Sequence, residues 1–501
     1  MISRKQKLFL NTGTAVLYQI ATLVCGLIIP RLIITFYGSN TNGLISSITH
    51  FLAFFSLMEL GVSSVVRASL YKPLADNDHD SISRVLISSR RFFRKIGLML
   101  LVYSVVLMVF FPIFIDHSHG YVSTVVLVGA IAFSSLANYL FGIVYQQLLN
   151  ADQKSYVQIG ASLLTLILNT VFAVVLMYMG SSIEVVKVVA AIVLLLRPLI
   201  LKLYVDRHYK LNFKLKLEGE PIKQKWNGLA QHIAIYVLKH ADVVILTLFS
   251  TLDKVSVYNV YHLVTNGLQQ MIEVMTTGMQ SLLGNMYVKK ETDKLEKTFS
   301  SFELLMHLGV TVLYTIAGLM IIPFVKIYTR NVTDADYIVP VFAILIVTAN
   351  ASYCLRMPYY MMTQAAGHFK ETQTSSIIEA AMNVVISIIL VNRFGLIGVA
   401  IGTLSAMTYR TVYLAWYLRK HILNRPFINF IKHIIVDIIG IGLSIAVTRF
   451  IPAPEISWGS WIMISLIVAL IVSAIIVLLN FLCFRSVFVS AIKLLFKKNS
   501  K

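Results

Sequence analysis

Fourteen mostly apolar stretches, each long enough to cross a bilayer, run in series through the 501 residues and constrain the fold more than any other feature. A transmembrane helix needs about 20 such residues. Hydrocarbon offers backbone polar groups no outside partner, so each stretch must close its own hydrogen bonds. The stretches cover 9–37, 43–70, 96–115, 121–146, 156–179, 183–204, 227–250, 255–287, 299–322, 338–364, 372–391, 396–418, 433–451 and 461–483, several with one polar interruption. The expected fold is an all-α polytopic membrane protein with about 14 transmembrane helices. Composition agrees, since 57% of residues are apolar and only 13% charged, about half the charge of a soluble domain. Three cysteines build no disulfide framework. The first apolar run, from Phe9, far exceeds the h-region of a secretory signal peptide.

A net charge of +20 raises the question of nucleic-acid binding, and the placement of the basic residues answers it. With the amino terminus inside, the cytoplasmic segments hold 31 of the 43 lysines and arginines, whereas the outer connections hold only Lys254, Lys326, Arg330, Arg393 and Arg449. This is the positive-inside pattern. It places both termini in the cytoplasm, turns the basic charge to orientation and anionic-lipid contact, and leaves no case for nucleic acid. The outer connections are short, the longest running from about Pro323 to Tyr337, so no extracytoplasmic domain fits.

The long basic segment over 202–226 divides six spans from six. The expected organisation is an N-terminal six-helix lobe (1–210), a basic cytoplasmic connector (211–226), a C-terminal six-helix lobe (227–420), and two extra helices with a basic tail (421–501). Repeat-built carriers place their site at the repeat interface. A faint internal echo fits: ADQKSYVQIGASLLTLILNTV begins span five and AGHFKETQTSSIIEAAMNVV span eleven, each with an inner-edge lysine (Lys154, Lys370) and a mid-span asparagine (Asn169, Asn383). Spans thirteen and fourteen are nearly all Ile, Leu, Val, Ala and Gly apart from Asp437 and a few Ser, Thr and Asn, and read as lipid-facing and peripheral.

Ionisable groups at membrane depth cost roughly 2.5–3.5 kcal/mol each and face a cavity or a partner. In span eight, Asn259, His262, Asn266, Gln270, Glu273, Thr277 and Gln280 share one helical face. That face either lines water or forms a polar helix–helix seam. Span seven carries His232, Tyr236 and Lys239 on one face, with Asp242 one turn beyond Lys239, either open to a cavity or a pair that satisfies itself. Span two aligns Ser56, Glu59, Ser63 and Arg67, where Arg67 is deep enough to bind or shallow enough to snorkel. Span one has Arg31 directly after Pro30, a position for a kink. Arg356 and Arg410 line a cavity or form an ion pair with Glu379. Glu303 is a further buried charge, and Lys187 and Arg197 are interfacial anchors. No GxxxxGK[ST], HExxH, GxSxG or Cys–His metal spacing occurs, so neither ATP hydrolysis nor other catalysis has a motif.

The first hairpin, FYGSNTNGLISSITHFLAFFSLMELGVSSVVRASLYKPLA over 36–75 with GLIIPRLI before it, resembles the polysaccharide-transport (Wzx-type) flippases. These belong to the superfamily that also holds multidrug extruders and peptidoglycan-precursor flippases. The resemblance is strong over 1–75 and persists as topology to about residue 425. It implies a bacterial cell-membrane location, two six-helix lobes around a central cavity walled by spans one, two, seven and eight, and translocation of undecaprenyl-diphosphate-linked oligosaccharides to the outer leaflet. Arg31 matches the family's basic position ending span one, and Gly61 its small residue in span two. The peptidoglycan-precursor branch carries a cluster of cavity arginines, whereas the corresponding helices here offer Arg31, Arg67 and Lys239, and span eight offers Glu273.

On this reading Lys239, Arg31 and Arg67 attract the diphosphate, and the span-eight stripe, with His262, Asn266, Gln270 and Gln280, hydrogen-bonds sugar hydroxyls. Glu59, Asp242 and Glu273 are the candidates for carrying a coupling proton or sodium ion. Arg356, Glu379 and Arg410 are secondary candidates, and no other cofactor or metal is expected. Partners would be membrane lipids, the lipid-linked substrate, and the polymerase and chain-length machinery of its pathway. The rival readings are a multidrug antiporter, which favours carboxylates and aromatics, and a membrane polymerase, which needs a larger outer loop.

Overall fold

The computed structural model describes residues 4–215, 229–276 and 278–496. Every regular element among them is helical. The chain divides into two compact units, Met1–Tyr236 and Val237–Lys501. The first contains α1 (Arg4–Ala53), α2 (Leu57–Ala75), α3 (His79–Phe110), α4 (Tyr121–Ala137), α5 (Ile143–Ala151), α6 (Ser155–Tyr178), α7 (Ile183–Leu194) and α8 (Leu196–His208). The division falls inside α9 (Leu229–Phe249). There follow α10 (Leu252–Met275), α11 (Met279–Val288), α12 (Thr292–Tyr328), α13 (Pro340–Leu355), α14 (Met357–Ala365), α15 (Phe369–Phe394), α16 (Leu396–His421), α17 (Ile428–Thr448), α18 (Trp458–Cys483) and α19 (Arg485–Phe496).

Ten helical stretches among the described residues are long and apolar enough to cross a membrane. The other four expected spans fall on α2, α9, α10–α11 and α16. The side chains of Ser56, Glu59, Gly61 and His232, and Thr277, lie outside the described residues.

Local chemistry sets the boundaries. Pro30 sits inside an unbroken stretch of α1, and the break comes at Gly38 (φ 87°, ψ 168°), a conformation that costs glycine little and other residues much. Gly38 therefore separates the first two expected spans within α1. Helix α3 starts 17 residues before span three, because Asp78 caps it by accepting from the Ser81 amide at 2.9 Å and Asp80 follows in the first turn.

Two polar clusters bind the first unit together. The Asp152 carboxylate, in the α5–α6 turn, gathers Lys154 (2.8 Å), Lys7 (3.5 Å) and the Tyr209 hydroxyl (2.5 Å), tying the start of α1 to the end of α8. In the α3–α4 connection, Asp116 accepts from Thr124 (2.5 Å) and from His119 Nδ1 (3.0 Å), while His119 Nε2 meets Thr41 Oγ1 at 2.7 Å, just past the Gly38 break.

In the second unit α17 and α18 pack on α12, with Met320 against Ile464, Val468, Val472 and Ile476. Ile435, Ile438 and Ile439 of α17 are exposed, as a lipid-facing helix requires. The opposite face is polar as well as packed, which the mostly apolar sequence of the pair does not foretell. It buries His433 and Asp437 against α12, where Asp437 meets His307 Nδ1 at 2.6 Å. Glu303, 1% exposed, pairs with Arg425 at 2.6 Å and accepts from Tyr359 at 2.7 Å. Buried ions need such partners, and these fasten the extra helices to their lobe.

Candidate transport site

Helices α15 and α16 approach each other closely because α16 carries glycine where they touch. A Cβ on Gly398 would lie 2.6 Å from the Leu390 carbonyl carbon, and one on Gly402 only 2.9 Å from the Ser387 amide nitrogen and 3.0 Å from the Asn383 backbone carbonyl oxygen. The approach brings Asn383 of α15 and Thr403 of α16 within 3.1 Å of each other and both onto Asp242 of α9. Asp242 Oδ1 accepts from Asn383 Nδ2 at 3.1 Å, and its Oδ2 is within reach of Thr403 Oγ1 at 2.8 Å and the Tyr258 hydroxyl of α10 at 3.0 Å. Ser387 and Thr403 both reach the Val399 carbonyl.

All four residues bonded together are buried, Asn383 fully and Asp242 to 3% exposure. The three donors to Asp242 are neutral, and Asn383 Oδ1 is buried without any donor. A buried carboxylate is costly without a counter-charge. A cradle of carboxylate, amide, hydroxyl and carbonyl oxygens with an orphaned acceptor suits a hard cation or a proton. The Lys239–Asp242 pair that sequence spacing suggests is not formed, and Lys239 is exposed.

The stripe of span eight is interrupted. Helix α10 ends at Met275, Gly278 adopts φ 93°, and Gln280 lies exposed on α11, so the seven residues do not share one helix. Glu273 is held by Gln269 at 2.8 Å and by the Tyr353 hydroxyl at 3.2 Å, which makes it part of the lobe's packing. Asn259, His262, Asn266 and Gln270 remain half-buried; His262 stacks on Tyr258 at 5.5 Å.

Of the two alternatives for the arginines, the ion pair is the one formed. Arg356 bonds Glu379 and lies 4.0 Å over the Tyr353 ring, and Arg410 stands 3.9 Å from Glu379 while donating to the Thr372 carbonyl at 2.9 Å. Arg31 on α1 is half-buried. Arg67 on α2 is also half-buried, without a hydrogen bond or ion pair among the described residues. Ser63, one turn before Arg67, is spent on packing, accepting from Gln147 at 2.9 Å.

Sequence spacing missed Asn383 and Thr403 as partners of Asp242. The mid-span Asn383 is visible in the sequence as a repeat echo, and the closely spaced Gly398 and Gly402 signal the approach that carries Thr403 there.

No protein-family model matches the chain, and no curated protein sequence matches it. Solved structures do. The chain is similar to lipid II flippase MurJ in an inward closed conformation, at 15% identity and a TM-score of 0.69 over 92% of this chain and 98% of that one. It is also similar to an inward-facing multidrug resistance MATE family transporter of the MOP superfamily, at 15% identity and a TM-score of 0.58 over 80% of this chain and 93% of that one. The chain thus has the fold of these transporters.

Proposed function

We propose that this protein is a flippase that carries a polyprenyl-diphosphate-linked oligosaccharide from the cytoplasmic to the outer leaflet of a bacterial cell membrane by alternating access, with both termini cytoplasmic, for assembly of a surface polysaccharide. The observation that carries the proposal is the extent of the likeness to the lipid II flippase. The likeness to the flippase is the more extensive, 92% of this chain at a TM-score of 0.69 against 80% at 0.58 for the multidrug transporter, and this favours a lipid-linked cargo over a small organic cation.

The physical task is to move a diphosphate and several sugars, all strongly hydrated, through about 30 Å of hydrocarbon. Lys239, Arg31 and Arg67 supply positive charge for the diphosphate, which a lysine meets as a point charge. Asn259, His262, Asn266 and Gln270 supply half-buried donors and acceptors for sugar hydroxyls. Net outward movement needs a coupled gradient or removal of product, and Asp242, with its neutral donors and the orphaned Asn383 oxygen, is the assigned proton or sodium carrier. The polymerase and chain-length machinery are the partners that receive the product.

Proteoliposomes loaded with a fluorescent polyprenyl-diphosphate oligosaccharide test the proposal. Transfer between leaflets should occur with wild type, fall at least tenfold in Lys239→Ala, and lose its dependence on the ion gradient in Asp242→Asn but keep it in Glu273→Gln. Extrusion of organic cations without lipid transfer would establish the antiporter instead, and full transfer by Lys239→Ala would remove that residue from the diphosphate site.

A further inference from the structure

Helix α3 carries Arg90, Arg91 and Arg94 within about one turn of each other, where its cytoplasmic extension meets the membrane-spanning part. Together with Ile87 and Phe213 they line a cavity of about 220 Å³. Phe213 belongs to the segment after α8, which is held against α3 by the Asn212 amide donating to Ser83 Oγ at 3.0 Å. Arg90 lies 5.5 Å over the Phe213 ring. Among the described residues the lining holds no carboxylate, and none of the three arginines has an ion pair. Guanidinium groups gathered without a counter-charge are suited to bidentate binding of phosphate oxygens.

A second feature lies one turn further along the same helix. Leu98, Met99, Val102, Tyr103 and Val106 line an apolar groove of about 490 Å³. Arg94 and Leu98 are separated by about 6 Å along the axis, and the groove continues for about 12 Å beyond Leu98. Leu98, Met99, Val102 and Val106 are each more than half exposed, as side chains facing acyl chains are. A basic cavity at the interface continued by a hydrocarbon-lined groove matches a ligand with a phosphate head and a fatty tail.

We propose that this cavity and groove together bind one anionic glycerophospholipid, its phosphate on Arg90, Arg91 and Arg94 and an acyl chain along Leu98 to Val106. The site is separate from the residues assigned to transport and does not depend on that assignment. Charge selects the head: phosphatidylcholine carries a cation beside its phosphate that the three arginines repel, and phosphatidylglycerol does not. Bound there, the lipid bridges α3 and the segment that follows α8.

The test uses full-length protein in nanodiscs of phosphatidylcholine with added phosphatidylglycerol, followed by delipidation and mass measurement of the lipid retained. Wild type should retain phosphatidylglycerol in preference to phosphatidylcholine. Arg90→Gln/Arg91→Gln/Arg94→Gln should weaken retention on the order of a hundredfold, from the attraction each arginine exerts near a surface. Arg91→Gln/Arg94→Gln, which changes only exposed side chains and spares the Phe213 contact, guards against misfolding and should show an intermediate loss. Arg207→Gln on α8 removes the same charge elsewhere and should change nothing. Equal retention by wild type and the triple variant overturns the proposal. So does displacement of the lipid by inorganic phosphate alone, which would make the site one for a soluble anion, or a stronger arginine-dependent retention of polyprenyl diphosphate than of phosphatidylglycerol, which would make it a carrier site.

Discussion

The Thr41–His119–Asp116 chain converts proton count into stability, and its effect can be worked from the geometry. Thr41 has one hydroxyl hydrogen, and it donates to the Tyr37 carbonyl at 2.7 Å. With that hydrogen on the Tyr37 carbonyl, the Thr41 oxygen accepts from His119 Nε2 while the ionised Asp116 carboxylate accepts from His119 Nδ1, an arrangement that favours the charged imidazole. The hydrogen bond to Asp116 raises the His119 pKa above 6.5, with burial opposing and the Asp116 and Glu184 charges adding to it. Burial pushes the Asp116 carboxyl up, but the hydrogen bonds from His119, Thr124 and the Ser118 amide outweigh it and leave the group lowered from 3.8 to about 2. At ~1.4 kcal/mol per tenfold change, that is about 2 kcal/mol of stability. The Asp116 contribution is fully present above pH 3.8 and lost as pH falls towards 2. The His119 contribution is fully present below pH 6.5 and lost as pH rises through its raised pKa. The connection is firmest between about pH 4 and 6.5. Unfolding titrated with SDS in mixed micelles measures this. Asp116→Asn should cost about 2 kcal/mol at pH 6, with the deficit shrinking below pH 4. The deficit of His119→Gln should be largest below pH 6.5 and fade in alkali. An Asp116→Asn deficit identical at pH 3 and pH 6 would refute the reasoning.

Two other consequences of the packing are open to the same measurement. Arg425→Leu strands Glu303 as an unpaired buried charge and should cost ~3–5 kcal/mol, most of it recovered in Glu303→Gln/Arg425→Leu, because removing both partners leaves no naked ion; a double variant no better than the single one contradicts the pairing. Gly402→Ala forces the Ser387 amide and Asn383 carbonyl apart and should destabilise by ~1–3 kcal/mol, with a larger loss of gradient-dependent transport than Ala at the unhindered Gly442 produces.

The helices were legible because hydrocarbon thickness imposes a minimum apolar length on every span, whatever its neighbours. Partners were not, because helix packing decides them. Asp242 could be singled out as costly from sequence, but along its own helix the reachable group is Lys239, while Asn383 and Thr403 lie 141 and 161 residues away. The span-eight face followed a helical period through Gln280, yet Gly278 already marked the place where the period must fail, since a glycine within a helical pattern is also a means of ending it. Asp437 is the instructive case. A lone carboxylate in an otherwise apolar span stands out in the sequence, and the cost of burying it requires a partner somewhere. The partner is His307, 130 residues earlier. A polar residue that hydrocarbon cannot tolerate thus reports that a contact exists, and only the packing of distant helices reports with whom.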